Sequence, residues 1–288
     1  MLRMSFMEHL DELRKRIIRS LFGIGVAFAL SLTFTSQLWD IISAPAVEAI
    51  RKIGPGAELA FLSPTEAFSI IWVKLPILTA IFIASPWVLY QVWAFIAPGL
   101  YRKERRWAVP FVLCTAGLFI LGGLFSYFVL FRFALEFLLG IGVAKGVKAV
   151  ISITEYFNLF TNVTLGIGLV FELPVLIFFL SLLRVVSARF LLRNTRYAML
   201  LIVIAAAIIT PTADVVNLMV FSVPMIALYF VGLFASYLLE LRREQRRFPW
   251  GFTLLIVGGI AAIAGLGVYV AVTRYGFHPT WQWPFLVK

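Results

Sequence analysis

Long apolar runs alternate with short charged stretches from one end of the chain to the other, at about 17–39, 68–97, 107–138, 155–183, 197–210, 217–239 and 250–272. None shows the two-residue alternation of a barrel strand. In hydrocarbon only helices and closed barrels satisfy their own backbone, so each run predicts a helix. A spanning helix needs about 20 apolar residues. The second and third runs exceed that and predict tilt or projection beyond the bilayer. The fifth is short. Tyr197 to Ile209 gives 13 residues, about 20 Å of helix against about 30 Å of hydrocarbon. Thr210-Pro211-Thr212-Ala213-Asp214 then breaks it. That turn, with Asp214 in it, sits below the membrane surface unless neighbouring residues extend the helix.

Composition agrees with this pattern. The chain is 62% hydrophobic and 14% charged, where a soluble domain carries about a quarter charged residues. Mean hydropathy is +0.98. An all-α polytopic membrane protein is expected, built as one helical bundle. The single cysteine, Cys114, lies in an apolar run, so no internal disulfide, metal cluster or cofactor is expected. Arg14-Lys15-Arg16 followed by an apolar run and by Ala44-Pro45-Ala46 imitates a cleaved leader. The stretch Leu21 to Trp39 is longer than a leader's apolar core, and reads as a retained span.

Charge orients the spans. Lys and Arg number five in the amino-terminal tail and four each in 101–106, 184–196 and 242–247, against at most two in the alternate segments. By the positive-inside rule the amino terminus is cytoplasmic, and seven spans put the carboxyl terminus outside. The net charge of +11 follows from this bias, and no nucleic-acid partner is needed to explain it.

Local signals sharpen the boundaries. Ser5 to Glu8, Ser63 to Glu66 and Ser152 to Glu155 match the capping box. Residues 5–16 read as a cytoplasmic helix feeding the first span, with Phe6, Leu10, Leu13 and Ile17 on one face. Pro76, Pro86, Pro110, Pro174 and Pro224 fall in the runs, where proline is either a kink or simply tolerated.

Glu172 alone among 14 acidic residues lies deep in an apolar run. A carboxyl at membrane depth costs several kcal/mol and marks a functional candidate by default. The plainer alternative is a protonated carboxyl hydrogen-bonded to a neighbouring helix. Phosphate-binding, HExxH and GxSxG motifs are absent, His9 and His278 fall on opposite sides of the membrane, and no nucleophile–base pair stands out. An enzyme is not expected.

His9 to Arg16, Ser43-Ala44-Pro45, Ser63 to Glu66, the stretch from Ser85-Pro86 through Tyr90 to Tyr101 and Glu104-Arg105-Arg106, then Phe171 to Pro174 and Thr210-Pro211 with Asp214, resemble the TatC family in order and spacing. TatC is the polytopic receptor subunit of the twin-arginine protein translocase. The resemblance covers about residues 5–240. It implies a six-span curved bundle in a bacterial or archaeal cytoplasmic membrane. It implies binding of signal peptides with paired arginines, and oligomeric assembly with single-span TatA/TatB-type partners within the membrane lipid. Export of folded cargo would be driven by the proton-motive force. The resemblance carries signal-peptide roles onto Glu12, Glu104, Phe95, Arg14, Arg105 and Pro45. It carries intramembrane polar contacts onto Glu172 and Asp214.

Two departures stand out. Many family members have a glutamine shortly after the acid of the fifth loop. Here Asn217 and Leu218 stand there, leaving Asn217 or Thr210 as substitutes for the polar partner of Glu172. The run at 250–272 is an extra, seventh apolar segment, so 1–240 is expected to form the membrane domain and 241–288 an appended tail ending in Trp281, Trp283 and Phe285. The competing reading is a proton-coupled small-solute transporter with Glu172 as proton carrier. The lack of an internal repeat speaks mildly against it.

Overall fold

The computed structural model describes residues 6–53, 58–61, 63–96, 108–143, 150–210, 214–245, 278–279 and 286–287. By compactness the chain divides into a unit of Met1–Tyr237 and a unit of Leu238–Lys288.

Helix α1 (Phe6–Thr33) fuses the 5–16 segment and the first span into one rod. The expected span to residue 39 is cut short at Phe34, and α2 (Thr35–Ile53) takes its last residues. Hydroxyls explain the cut. Ser31 donates to the carbonyl of Ala27 (2.8 Å), Thr33 to Leu30 (2.7 Å) and Thr35 to Leu32 (2.8 Å). Such side chains compete with the backbone for helix carbonyls and favour a bend.

Helix α2 carries Pro45 in its interior, and two tyrosines repair the damage. Proline has no N–H for the carbonyl of Ile41, four residues back. The Tyr127 hydroxyl donates to that same carbonyl at 2.7 Å. The Tyr156 hydroxyl donates to the next one, of Ile42. Glu48 on α2 accepts from Arg132 at 2.7 Å. Ile42, Ala46 and Ala49 are buried in the core. The helix is thus fastened along one side to the span that bears Tyr127 and Arg132.

A short parallel pair, β1 (Glu58–Ala60) with β2 (Val150–Ser152), runs from Glu58 opposite Val150 to Ala60 opposite Ser152. It ties together the segments that enter the second and fourth spans. Helix α3 (Pro64–Ser69) starts at Ser63, whose hydroxyl accepts from the N–H of Glu66 at 3.3 Å, with Pro64 in the first turn as expected. The Ser152 hydroxyl accepts from Thr154 rather than from Glu155, so only a local cap forms there. The capping box expected at Ser5 lies outside the described residues.

The second span is continuous over Pro64–Ile96, but a π-helical turn at Ile70–Lys74 separates α3 from α4 (Leu75–Ile96). Pro76 follows at once. The widened turn, closed by Leu75 N–H to Ile70, supplies one extra residue just where a proline ring would crowd an ordinary turn. The third span comprises α5 (Ala108–Phe125), a second π turn (Ser126–Leu130) and α6 (Phe131–Val143). Pro110 sits in the first turn of α5, where its missing N–H costs nothing.

The expected single run at 155–183 is two helices, α7 (Ile153–Val170) and α8 (Leu173–Leu182), parted at Phe171-Glu172. Pro174 is the cause, since it cannot donate to the carbonyl of Val170. After α9 (Ala188–Arg193) comes α10 (Thr195–Ile209), 15 residues or about 22 Å long. It begins two residues before the expected start and still falls short of the hydrocarbon. Helix α11 is Val215–Arg243. Five helical stretches are long and apolar enough to cross a membrane, with Thr195–Ile209 the shorter sixth. The run at 250–272 lies outside the described residues. In the second unit β3 (His278–Pro279) pairs antiparallel with β4 (Leu286–Val287).

Small residues bring the spans together. Ala27 packs with Ala80 and Ala84 between α1 and α4, and a Cβ on Gly23 would lie 2.3 Å from Trp87. On Gly122 it would lie 2.9 Å from the Cα of Gly168, fixing α5 against α7. Without a hydrophobic force between helices in lipid, such close backbone approach is a main source of association. Large apolar side chains turn outward instead, among them Ile208 (79% exposed), Phe22 (72%) and Leu113 (70%). That inversion fits a lipid-facing surface.

If Tyr127 serves the carbonyl that Pro45 leaves free, the two residues are coupled. Tyr127→Phe should lower stability by about 1 kcal/mol. In a Pro45→Ala background, where the amide reclaims Ile41, the same change should cost close to nothing. A double-mutant cycle by detergent-phase unfolding measures this.

Candidate functional site

Near its start α1 runs antiparallel to the end of α4. His9 stacks on Phe95 (centroids 4.4 Å apart, planes at 17°). Two turns further along α1, and one turn back along α4, Arg16 reaches Gln91. Further along, the Trp87 indole donates to the carbonyl of Arg19 at 2.9 Å.

Glu12 sits inside this register. Its Oε1 accepts from Arg16 Nη2 at 3.2 Å, and Arg16 Nη1 donates to Gln91 Oε1 at 3.1 Å. Gln91 is 1% exposed, so it holds the guanidinium from below. Side-chain exposure is 16% for Glu12 and 22% for Arg16. The other carboxylate oxygen, Oε2, is buried and has no hydrogen-bond partner among the described residues. A carboxylate accepts on both oxygens, and burying one unsatisfied is costly. The arrangement therefore leaves one oxygen of a fixed carboxylate buried and without a donor among the described residues. Beneath the same end of α4, Trp93 packs on Phe111 (4.3 Å) and edge-on against Phe179 (5.4 Å).

The expected signal-peptide residues separate. Glu12 and Phe95 share this end of the α1–α4 pair. Arg14 is exposed, two residues from Glu12 and so on another side of the helix. Pro45 lies in α2, beyond the far end of α1, with its tyrosine partners. Glu104 and Arg105 lie outside the described residues. Reading the sequence assigned no role to Arg16 or Gln91. The available signals were the i, i+4 spacing of Glu12 and Arg16 and a glutamine amid an apolar run.

Glu172 occupies the break between α7 and α8. Its carbonyl accepts from Leu176 N–H at 2.9 Å and its own N–H donates to Leu169 at 3.1 Å, so the backbone barely leaves helical geometry. The side chain is half-buried, and Oε1 has no hydrogen-bond partner among the described residues.

The expected polar partners bond elsewhere. Thr210 Oγ1 donates to Ala207 at 3.3 Å. Asp214 caps α11: its Oδ1 accepts from Asn217 N–H at 2.8 Å and its Oδ2 from Asn217 Nδ2 at 2.9 Å. Asn217 is fully buried. Neither Thr210 nor Asn217 hydrogen-bonds Glu172. Asp214 and Asn217 form a capping unit apart from Glu172. No group of three or more metal-ligating side chains occurs among the described residues.

The family model described as Sec-independent protein translocase protein (TatC) matches residues 8–224. The Sec-independent protein translocase protein TatC of Koribacter versatilis (strain Ellin345) is 43% identical over 244 residues, 85% of this chain and 89% of the relative. That of Desulforapulum autotrophicum is 35% identical over 240 residues, 83% and 87% of the two chains. Among solved structures, a crystal structure of the twin-arginine translocase receptor TatC superposes with a TM-score of 0.68 at 33% identity. It covers 80% of this chain and 98% of its own.

The hold of Gln91 on Arg16 can be tested directly. Gln91→Leu keeps the volume and removes the acceptor, and a hydrogen bond to a charged group is worth about 1.5–3 kcal/mol. Thermal unfolding in detergent should show a loss of that size, and Arg16→Leu on top of it should add a further loss, because Glu12 Oε1 then loses its donor as well.

Proposed function

This chain belongs to the TatC family of Sec-independent protein translocase proteins, and from that premise we propose that its Glu12 cluster docks the paired guanidinium groups of a cargo's leader peptide. The chain is a multi-pass membrane protein of the Tat translocase and works with other Tat subunits. Its task is transport, not bond chemistry.

The observation that carries the proposal is Glu12 Oε2, buried and unpartnered beside an oxygen already held by Arg16. An incoming arginine offers five donors in a planar fork, and lysine offers only a point charge. A second guanidinium bonding Oε2 satisfies the carboxylate without displacing Arg16. Phe95, already stacked on His9, supplies an aromatic surface for the apolar part of the leader. Glu104 and Arg105 extend the cluster on the strength of the family motif. The amino terminus and this cluster face the cytoplasm, where cargo is made.

Glu172 serves a second contact. A polar group on a single-span partner of the TatA/TatB type, or on the leader's apolar segment, reaches Oε1 in the plane of the membrane. Such bonds are worth about 0.6–2 kcal/mol, weak enough to let go. Pro45 acts by shaping α2, and Asp214 by capping α11. Residues 241–288 are an appended piece, and the working unit is an oligomer with those partners.

Binding of a fluorescent twin-arginine leader peptide to the purified chain tests the docking reading. Glu12→Gln should weaken it about tenfold or more, the equivalent of one charge-assisted bond. Replacing both peptide arginines with lysine should do the same, and combining the two changes should add little. Equal binding by Glu12→Gln contradicts the reading. The transporter reading makes a separate demand. We expect liposomes holding this chain alone to show no proton-coupled solute flux, and flux abolished by Glu172→Gln would favour that reading instead.

A further inference from the structure

A groove of about 350 Å³ opens between the second and fourth spans, far from Glu12, at the end of the bundle where β1 and β2 pair. Its mouth is polar, with Lys74, Asn158 and Asn162, and Lys74 Nζ lies 3.5 Å from Asn158 Oδ1. The Thr161 hydroxyl, also on its wall, is buried and has no hydrogen-bond partner among the described residues. The rest of its lining is apolar and includes Ile77, Ile81 and Leu165. No carboxylate lines it among the described residues.

Three observations say what fits. The first is depth. The fourth span is Ile153–Leu182, and Asn158 lies about ten residues, about 15 Å, from its midpoint. Half the hydrocarbon thickness is also about 15 Å, so the amine stands where acyl chains give way to phosphates.

The second is the order of its lining. The groove runs from Lys74 to Ile81, about 10 Å of helix, with the amine and amides of Lys74, Asn158 and Asn162 toward one end and Ile81 and Leu165 toward the other. A polar head followed by an apolar chain matches that order.

The third is the π turn at Ile70–Lys74. One extra residue rotates everything after it by about 100° relative to α3 and sets Lys74, Ile77, Leu78 and Ile81 on the face toward α7. Such turns recur at functional sites.

We infer that this groove is a binding site for one glycerophospholipid of the outer leaflet. The phosphate meets Lys74, Asn158 and the Thr161 hydroxyl, and one acyl chain lies along Ile77, Ile81 and Leu165. The lipid wedges the second span against the fourth on the side away from cargo docking. It stands independently of the role proposed for Glu12.

Native mass spectrometry of the full chain in detergent, titrated with dioleoyl phosphatidylglycerol, tests the site. One lipid should be retained preferentially. Lys74→Gln should weaken its retention about tenfold and Ile81→Trp, which fills the apolar end, at least as much. Arg51→Gln, a cation on α2 that does not line the groove, should leave retention unchanged, and millimolar inorganic phosphate should not compete. Unchanged retention in Lys74→Gln overturns the inference, as does an equal loss in Arg51→Gln or displacement by phosphate. A photoreactive side chain at position 77, activated in native membranes, should label lipid. Labelling of a partner protein's helix instead overturns the inference.

Discussion

Hydrocarbon offers a backbone no hydrogen bonds, so every interruption of a helix inside the bilayer must find its partner within the protein. This chain interrupts its helices repeatedly. On α2, outside the long apolar spans, Pro45 frees the Ile41 carbonyl and Tyr127 takes it up. Pro76 follows a widened turn that makes room for it. Pro174 opens the fourth span beside Glu172. The first two breaks are compensated in this way. The fastening of α2, the position of Lys74 and the setting of Glu172 follow from where these prolines fall.

The same constraint separates the two acidic sites. Glu172 stands among apolar side chains with one oxygen unpartnered, so whatever approaches it must bring a polar group into lipid. Glu12 stands at the end of α1, with Arg16 and Gln91 already fixing one of its oxygens. In the proposed docking the pre-existing pair would help. It holds the carboxylate in one orientation, so the entropy of ordering that side chain would be spent before a leader arrives. It also discourages lysine, because a compact ammonium beside Arg16 gains fewer bonds for the same repulsion.

Much of this was legible beforehand. Period and length gave the helical class and the five long apolar helices, and the shortness of α10 followed from Thr210-Pro211. Boundaries failed where side chains override hydropathy. The first run breaks at Phe34 because Ser31, Thr33 and Thr35 bond back to the helix, and hydropathy does not register hydroxyl competition. The break at Phe171-Glu172 was readable from Pro174 but masked by the apolar residues around it. The β1–β2 pair is three residues a side, too short to show a pattern. At the site, Glu12 and Phe95 came from the family motif, while Arg16 and Gln91 needed the register of α1 on α4, which no local pattern encodes. The expected partnership of Glu172 with Thr210 or Asn217 failed for a related reason, since Asp214 is nearer in sequence and claims Asn217 as part of a helix cap.

The central claim is a contact between the open oxygen of Glu12 and a guanidinium of the leader. Solid-state NMR can measure it, with carbon-13 at the Glu12 carboxyl and nitrogen-15 in the peptide's arginine side chains, on the bound complex in lipid. A bonded pair should give strong dephasing, corresponding to about 4 Å or less between carboxyl carbon and guanidinium nitrogen. A complex shown to be bound yet lacking that dephasing would contradict the account.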